Sequence, residues 1–221
     1  MKLIYVYGKE GRLRFVSHLD LQRFLIRALN RTCLPIAFSQ GFNPHPLLSI
    51  ASALAMGYES DYEVFEVRVN GSISREKALA TMRAALPEQM PVKQVFFAQD
   101  SHPSMMSLVK MSDFTIRPET GFDKIAEAAR AFWELEEVKG IRKTKSGEKE
   151  VNVRALCKGL ETGDGYLKAR LMFTETETLK PDLLMDTLCK MAGIETPAFR
   201  VRRNALLGID PKGEARLITE L

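Results

Sequence analysis

The chain opens on KLIYVY, a strand-like run over about Lys2 to Tyr7, and the glycines at 8 and 11 predict a turn. Arg12 to Val16 extends this strand or forms a short second one. The period then changes. Leu21, Phe24, Leu25, Ala28 and Leu29 share one face at helical spacing, which predicts a helix over about His18 to Thr32. Ser17 is its N-cap, and Asp20 completes an S-x-x-D box. LLSIASALAMG (47–57) reads as a buried strand. YEVFEVRV (62–69) places Val64, Glu66 and Arg68 on one face and Phe65, Val67 and Val69 on the other. A helix capped by Ser74 and the strand VKQVFFA (92–98) complete a β-α-β-β-α-β order.

DSHPSMMSLVKM (100–111) interrupts the pattern and reads as a linker. The order then repeats. SDFTIRP is a strand, and FDKIAEAARAFWELEEV is a helix with Ile125, Ala128, Ala129, Phe132 and Leu135 on one stripe. KEVNVRALC and YLKARLMF are strands joined through ETGDG (161–165). KPDLLMDTLCKMAG is a helix stopped at Gly193, and FRVRRNALLGI is a closing strand. The fold class expected is α+β: two tandem ferredoxin-like units with antiparallel sheets, 1–99 and 112–221, around the 100–111 linker. The two halves share architecture and no residue-by-residue repeat.

Charge sharpens this picture. The 221 residues carry a net charge of +4. Residues 1–50 hold Lys2, Lys9, Arg12, Arg14, Arg23, Arg27 and Arg31 against only Glu10 and Asp20, so the excess lies in this segment. On the first helix Arg23, Arg27 and Arg31 recur every four residues, opposite the apolar face. Such a row disfavours the helix by a few tenths of a kcal/mol per pair. Either a phosphate backbone or acidic side chains elsewhere offset it. Arg12 and Arg14, in strand geometry, point to one side near the N-terminus of that helix, where backbone N–H groups attract anions.

Two histidines are candidates for chemistry. His18 sits in the first helical turn, toward the core side. The positive helix end disfavours its charged form, and the reading favoured is a structural, hydrogen-bonded histidine. His45 lies in SQGFNPHPLLS (39–49), stiffened by Pro44 and Pro46. Ser39, Gln40, Asn43 and His45 supply donors and acceptors there. Phe42 either stacks a base or anchors the loop in the core, and anchoring is favoured. A second basic run, GIRKTKSGEK, holds Arg142, Lys143 and Lys145 in a hairpin arm turning near Ser146–Gly147. Arg200, Arg202 and Arg203 form a third group.

Other classes are excluded. Cys33, Cys157 and Cys189 have no metal-ligand spacing, and no C-x-x-x-C-x-x-C, phosphate-binding loop or nucleophile elbow occurs. No metal or cofactor is expected, and the cysteines are expected to be reduced thiols, mostly buried, in a cytoplasmic protein. No apolar run reaches the length of a membrane span.

RFVSHLDL (14–21), RALNR (27–31) and SQGFNPHP (39–46) together resemble the signature of the radical-SAM-linked bacterial protein family, a domain of unknown function. The resemblance covers residues 11–57 most strongly. It implies partnership with a radical SAM enzyme in nucleic-acid chemistry. The tandem plan is also similar, at fold level, to CRISPR repeat-processing endoribonucleases of the RAMP type. Those carry a histidine near the first helix, the place of His18, and a glycine-rich loop near the C-terminus, which FRVRRNALLGIDPKGEA does not have.

The function expected is a non-catalytic accessory protein that holds structured RNA, transfer or ribosomal, for a radical SAM enzyme. Arg12, Arg14, Arg23, Arg27, Arg31, Arg142, Lys143 and Lys145 contact phosphates, and Gln40, Asn43 and His45 read or position the substrate. DNA and membranes are not expected partners. The alternatives are a metal-independent endoribonuclease using His18 or His45, and a protein–protein adaptor.

Overall fold

A computed structural model of the protein describes residues 1–144, 147–174 and 176–221. The architecture is α+β, with mostly antiparallel strands. By contact the chain divides into two compact units, Met1–Val109 with Ala205–Leu221, and Lys110–Asn204.

In the first unit β1 (Lys2–Lys9) is central and buried at every position. It pairs with β3 (Glu59–Arg68) and β4 (Val92–Ala98), and β2 (Leu48–Ile50) pairs with β3, giving the order β4-β1-β3-β2. Tyr5, Phe65 and Val67 face helices α1 (His18–Asn30) and α2 (Arg75–Ala85) in one core with Leu21, Leu25, Leu29 and Met82. Burying each large side chain there contributes about 1.5–3 kcal/mol. Helix α1 starts as its sequence predicts. The Asp20 N–H donates to Ser17 Oγ at 3.2 Å, and the Ser17 hydroxyl donates to Asp20 Oδ2 at 2.7 Å.

The other face of this sheet is covered too. Ile4, Val6 and Val64 are buried there. Segment 100–109, expected as part of a linker, carries the single turn α3 (Met105–Leu108) with Met105 buried. The 3₁₀ turn Ile218–Glu220 closes the same face, where Tyr62 and Thr219 hydroxyls lie 2.6 Å apart. Lys2 and Glu66 are buried on this face, with Nζ 3.7 Å from Oε2. Lys2 Nζ also donates to the His102 carbonyl at 2.8 Å, and the Met105 N–H donates to Glu66 at 3.3 Å.

In the second unit β5 (Met111–Pro118), β9 (Leu167–Met172) and β8 (Cys157–Thr162) pair antiparallel. Strand β10 (Phe199–Ile209) lies beside β5 through its first part, giving the order β10-β5-β9-β8. Phe114, Ile116, Leu167, Ala169 and Leu171 alternate to the buried side. The amphipathic α4 (Phe122–Glu134) and α6 (Pro181–Met191) supply Ile125, Phe132, Leu184 and Leu188. A separate hairpin, β6 (Lys139–Thr144) and β7 (Gly147–Asn152), stands between α4 and β8. At the end of the chain β11 (Ala215–Leu217) pairs with the end of β10 in the first unit.

Four local expectations change. GRLRF is a 3₁₀ turn, Gly11–Phe15, rather than a strand. LLSIASALAMG keeps strand structure only over Leu48–Ile50, and Ala53, Ala55 and Met56 are exposed. KEVNVRALC is split: the Asn152 side chain accepts from the Ala155 N–H at 3.1 Å and caps a single turn, α5 (Val153–Leu156). Leu135 falls just past the end of α4 and is 46% exposed. Cys157 and Cys189 are buried free thiols, and Cys33 is a free thiol that is exposed.

Two predictions follow from the covered face. A Cβ at Gly208 would stand 2.6 Å from the Leu108 carbonyl oxygen and 2.4 Å from Leu221 Cδ1. Gly208→Ala is therefore expected to destabilise the protein by about 2 kcal/mol, read from the midpoint of urea unfolding. Glu66→Leu takes the neighbouring carboxylate from the buried Lys2 amine, leaving it the His102 carbonyl, and should cost about 3 kcal/mol. The double variant Lys2→Met/Glu66→Leu should recover most of that loss in the same assay.

Candidate functional site

The signature residues fall on two surfaces of the first unit. One is the ridge formed by the 3₁₀ turn and α1. Phe15 is 61% exposed and Leu19 60%. The Arg14 guanidinium lies 4.8 Å from the centre of the Phe15 ring and 3.6 Å from Glu59 Oε1. That carboxylate also accepts from the Gly11 N–H at 3.0 Å, which ties the turn to β3. Arg23 pairs with Asp20 at 3.2 Å across an exposed surface. The Ser17 hydroxyl, more than Arg23, holds the Asp20 carboxyl below its usual range. Arg31 donates to the Ala85 carbonyl at 3.4 Å, at the C-terminal end of α2, where a cation is favourable.

The arginine row is thus divided by role. Arg14 and Arg31 hold neighbouring elements, and Arg23 shares one carboxylate. Arg12 and Arg27 are exposed and form no ion pair among the described residues. His18 is half-buried. Its Nδ1 is buried without a hydrogen-bond partner among the described residues, contrary to the expectation of a bonded structural histidine. Just before the helix, the buried Lys9 donates to the Val16 carbonyl at 3.0 Å.

The second surface is the loop 39–46. Ser39 closes it: its N–H donates to the His45 carbonyl at 2.9 Å, and its Oγ accepts from the His45 N–H at 3.1 Å. The same Oγ lies 2.9 Å from His45 Nδ1, and the Asn43 carbonyl lies 3.4 Å from that nitrogen. Stiffness therefore comes from this clamp as well as from the prolines. With Nδ1 engaged, Nε2 is the ring nitrogen left for an outside partner. Gln40, Asn43 and Phe42 are exposed. Phe42 is 104% exposed, so it does not anchor the loop in the core.

His45 lines a cavity of about 260 Å³ together with Lys2, Ser49, Glu66, Arg68 and Ser104. Register explains the grouping. Lys2 sits opposite Arg68, and Ser49 opposite Glu66, so all four share one sheet face. This is the face away from α1. The loop and the arginine row therefore do not form one rim, and the cations near His45 are Lys2 and Arg68. The period-two placement of Glu66 with Arg68 was the sequence signal for this cavity.

In the second unit, Arg142 donates to the Thr178 carbonyl, which ties the β6–β7 arm to its own unit. Lys143 belongs to β6, and Lys145 lies outside the described residues. The third basic group is split: Arg200 is exposed, whereas Arg203 is buried with its guanidinium 5.7 Å from the Phe114 and Phe173 ring centres. No cluster of three His, Cys, Asp or Glu side chains able to hold a metal ion occurs among the described residues.

No curated protein matches the chain. A chain in a crystal structure of a Cbf5–Nop10–Gar1 complex is similar at 9% identity and a TM-score of 0.44, over 91% of this chain and 47% of that one. This chain thus spans about half the length of that protein. The family described as uncharacterized protein conserved in bacteria, DUF2344, matches residues 2–181. That match covers most of the sequence, and the chain belongs to the DUF2344 family of bacterial proteins.

Proposed function

We propose that the protein is a cytoplasmic RNA-binding accessory factor for a radical SAM enzyme. It holds structured RNA, transfer or ribosomal, on the ridge of the first unit. The observation that carries this reading is the exposure of Phe15 and Leu19 among Arg12, Arg14, Arg23 and Arg27. Exposed apolar side chains within a cationic surface suit a ligand that offers both phosphates and stackable bases. The radical SAM partner rests on the resemblance of residues 11–57. The body is read as two ferredoxin-like units. The orders β4-β1-β3-β2 and, with the β6–β7 hairpin set aside, β10-β5-β9-β8 support this, since each then runs fourth-first-third-second along its own unit.

Replacing Arg23 and Arg27 by alanine removes two phosphate contacts. Affinity for a stem-loop RNA is expected to fall at least tenfold, and the slope of log K against log salt to shrink by about 1.8. Titration at several salt concentrations measures both. Salt-insensitive binding, or equal affinity for heparin, would sink the proposal. Co-purification of a radical SAM enzyme without RNA would instead favour an adaptor.

The Ser39–His45 clamp favours a second reading, an endoribonuclease of the RAMP type, because a base must be held in one orientation to act. That reading expects RNA cleavage without metal ions that disappears in His45→Ala or in His18→Ala. Undiminished cleavage in both variants would exclude it.

A further inference from the structure

The sheet of the second unit has a second face, opposite its core, that none of the signature residues occupies. Asp113, Thr115 and Arg117 alternate onto it from β5, Lys168 and Arg170 from β9, and Glu161 from β8. A bulge between Cys157 and Gly159 turns Lys158 to the same side. Arg200 and Asn204 alternate onto it from β10. Thr115, Lys158, Glu161, Lys168, Arg170 and Asn204 line an open depression of about 570 Å³. Arg202 lies between Arg200 and Asn204 on the same side, so six cations, Arg117, Lys158, Lys168, Arg170, Arg200 and Arg202, face two acids, Asp113 and Glu161.

The parts of this face are held in place. Arg170 donates to both Asp113 oxygens, at 2.8 and 2.9 Å, so its planar guanidinium is fixed. The Thr115 hydroxyl donates to Asn204 Oδ1 at 2.8 Å, which orients the Asn204 side chain. At the corner, the Tyr166 ring lies against Gly163, where a Cβ would stand 2.2 Å from the ring. The Arg117 guanidinium stands 4.7 Å from the ring centre and Lys168 Nζ 5.9 Å. The glycine lets the ring lie flat, and the cation layered on it offers a second planar surface.

We infer that this face binds a single-stranded polynucleotide. Four strands span about 15 Å at the usual spacing, room for two or three nucleotides. The polar groups of the depression suit the exposed edges of splayed bases, which a paired stem does not offer. Stacking on an aromatic or guanidinium plane, with cations along the path, is how such strands are held. The inference rests on the RNA-binding reading in taking the ligand to be a polynucleotide, and places it on a different surface.

Fluorescence anisotropy with the full chain tests this. The probes are twelve-nucleotide oligo-U and oligo-dT, a stem-loop RNA and a heparin fragment. The variants are Arg117→Ala/Lys168→Ala, Tyr166→Ser and, for the ridge, Arg23→Ala/Arg27→Ala, each checked for native circular dichroism. Arg117→Ala/Lys168→Ala is expected to weaken at least one oligonucleotide tenfold or more, leaving the stem-loop within threefold. Tyr166→Ser is expected to act in the same direction. Unchanged oligonucleotide binding in Arg117→Ala/Lys168→Ala, or an equal loss for heparin, overturns the inference. If the stem-loop does not bind or ignores Arg23→Ala/Arg27→Ala while the oligonucleotide loss is seen, the ridge reading fails and this one stands.

Discussion

Burial of β1 on both faces is the constraint on which the first unit depends. A strand covered by α1 and α2 on one side and by α3 and the Ile218–Glu220 turn on the other leaves no solvent for its polar ends. Lys2 and Lys9 are nonetheless in it, and each is almost fully buried. A buried amine without partners costs several kcal/mol. Lys2 therefore reaches the His102 carbonyl and Glu66, and Lys9 reaches the Val16 carbonyl. These contacts fix the two places that matter most. One sets segment 100–109 against the sheet, and the other sets the chain just ahead of α1, where the arginine ridge begins.

What could be read in the sequence was whatever local chemistry decides. The N-cap of α1 at Ser17, the start of α2 after Ser74 and the alternation of β3 stand where the residue pattern puts them. Where tertiary contacts decide, the pattern misleads. GRLRF has strand-like alternation, but a salt bridge and a backbone bond to Glu59 favour a tight turn. KEVNVRALC looks like one strand because its residues suit strands, yet Asn152 finds a capping role that breaks it. The apolar run leaves the strand after Ile50: Ala51 and Leu54 stay buried, while Ala53, Ala55 and Met56 reach the surface.

The site was legible as residues and not as a place. Alternation puts His45's neighbours on one side of the sheet and α1 on the other, so residues close in sequence serve separate surfaces. Lys2, Ser49, Glu66 and Arg68 come together only through strand register. Ser39 was visible as one polar loop residue among several. Its function as the clamp of His45 depends on the return of the chain from 39 to 45, which no spacing rule specifies.

The division of the chain bears on how it is made. Lys110–Asn204 is interposed within the first unit, whose last portion is Ala205–Leu221. A ribosome delivers the whole of the second unit before Ile218 and Thr219 emerge. Until then the Ile4, Val6 and Val64 face of the first sheet has only part of its cover, although α1 and α2 can already pack on the opposite side. The second unit is contiguous and can complete its core during synthesis, whereas the first must wait for Ala205–Leu221. Chain elongation thus imposes an inverted order of maturation, in which the unit begun earlier is completed later.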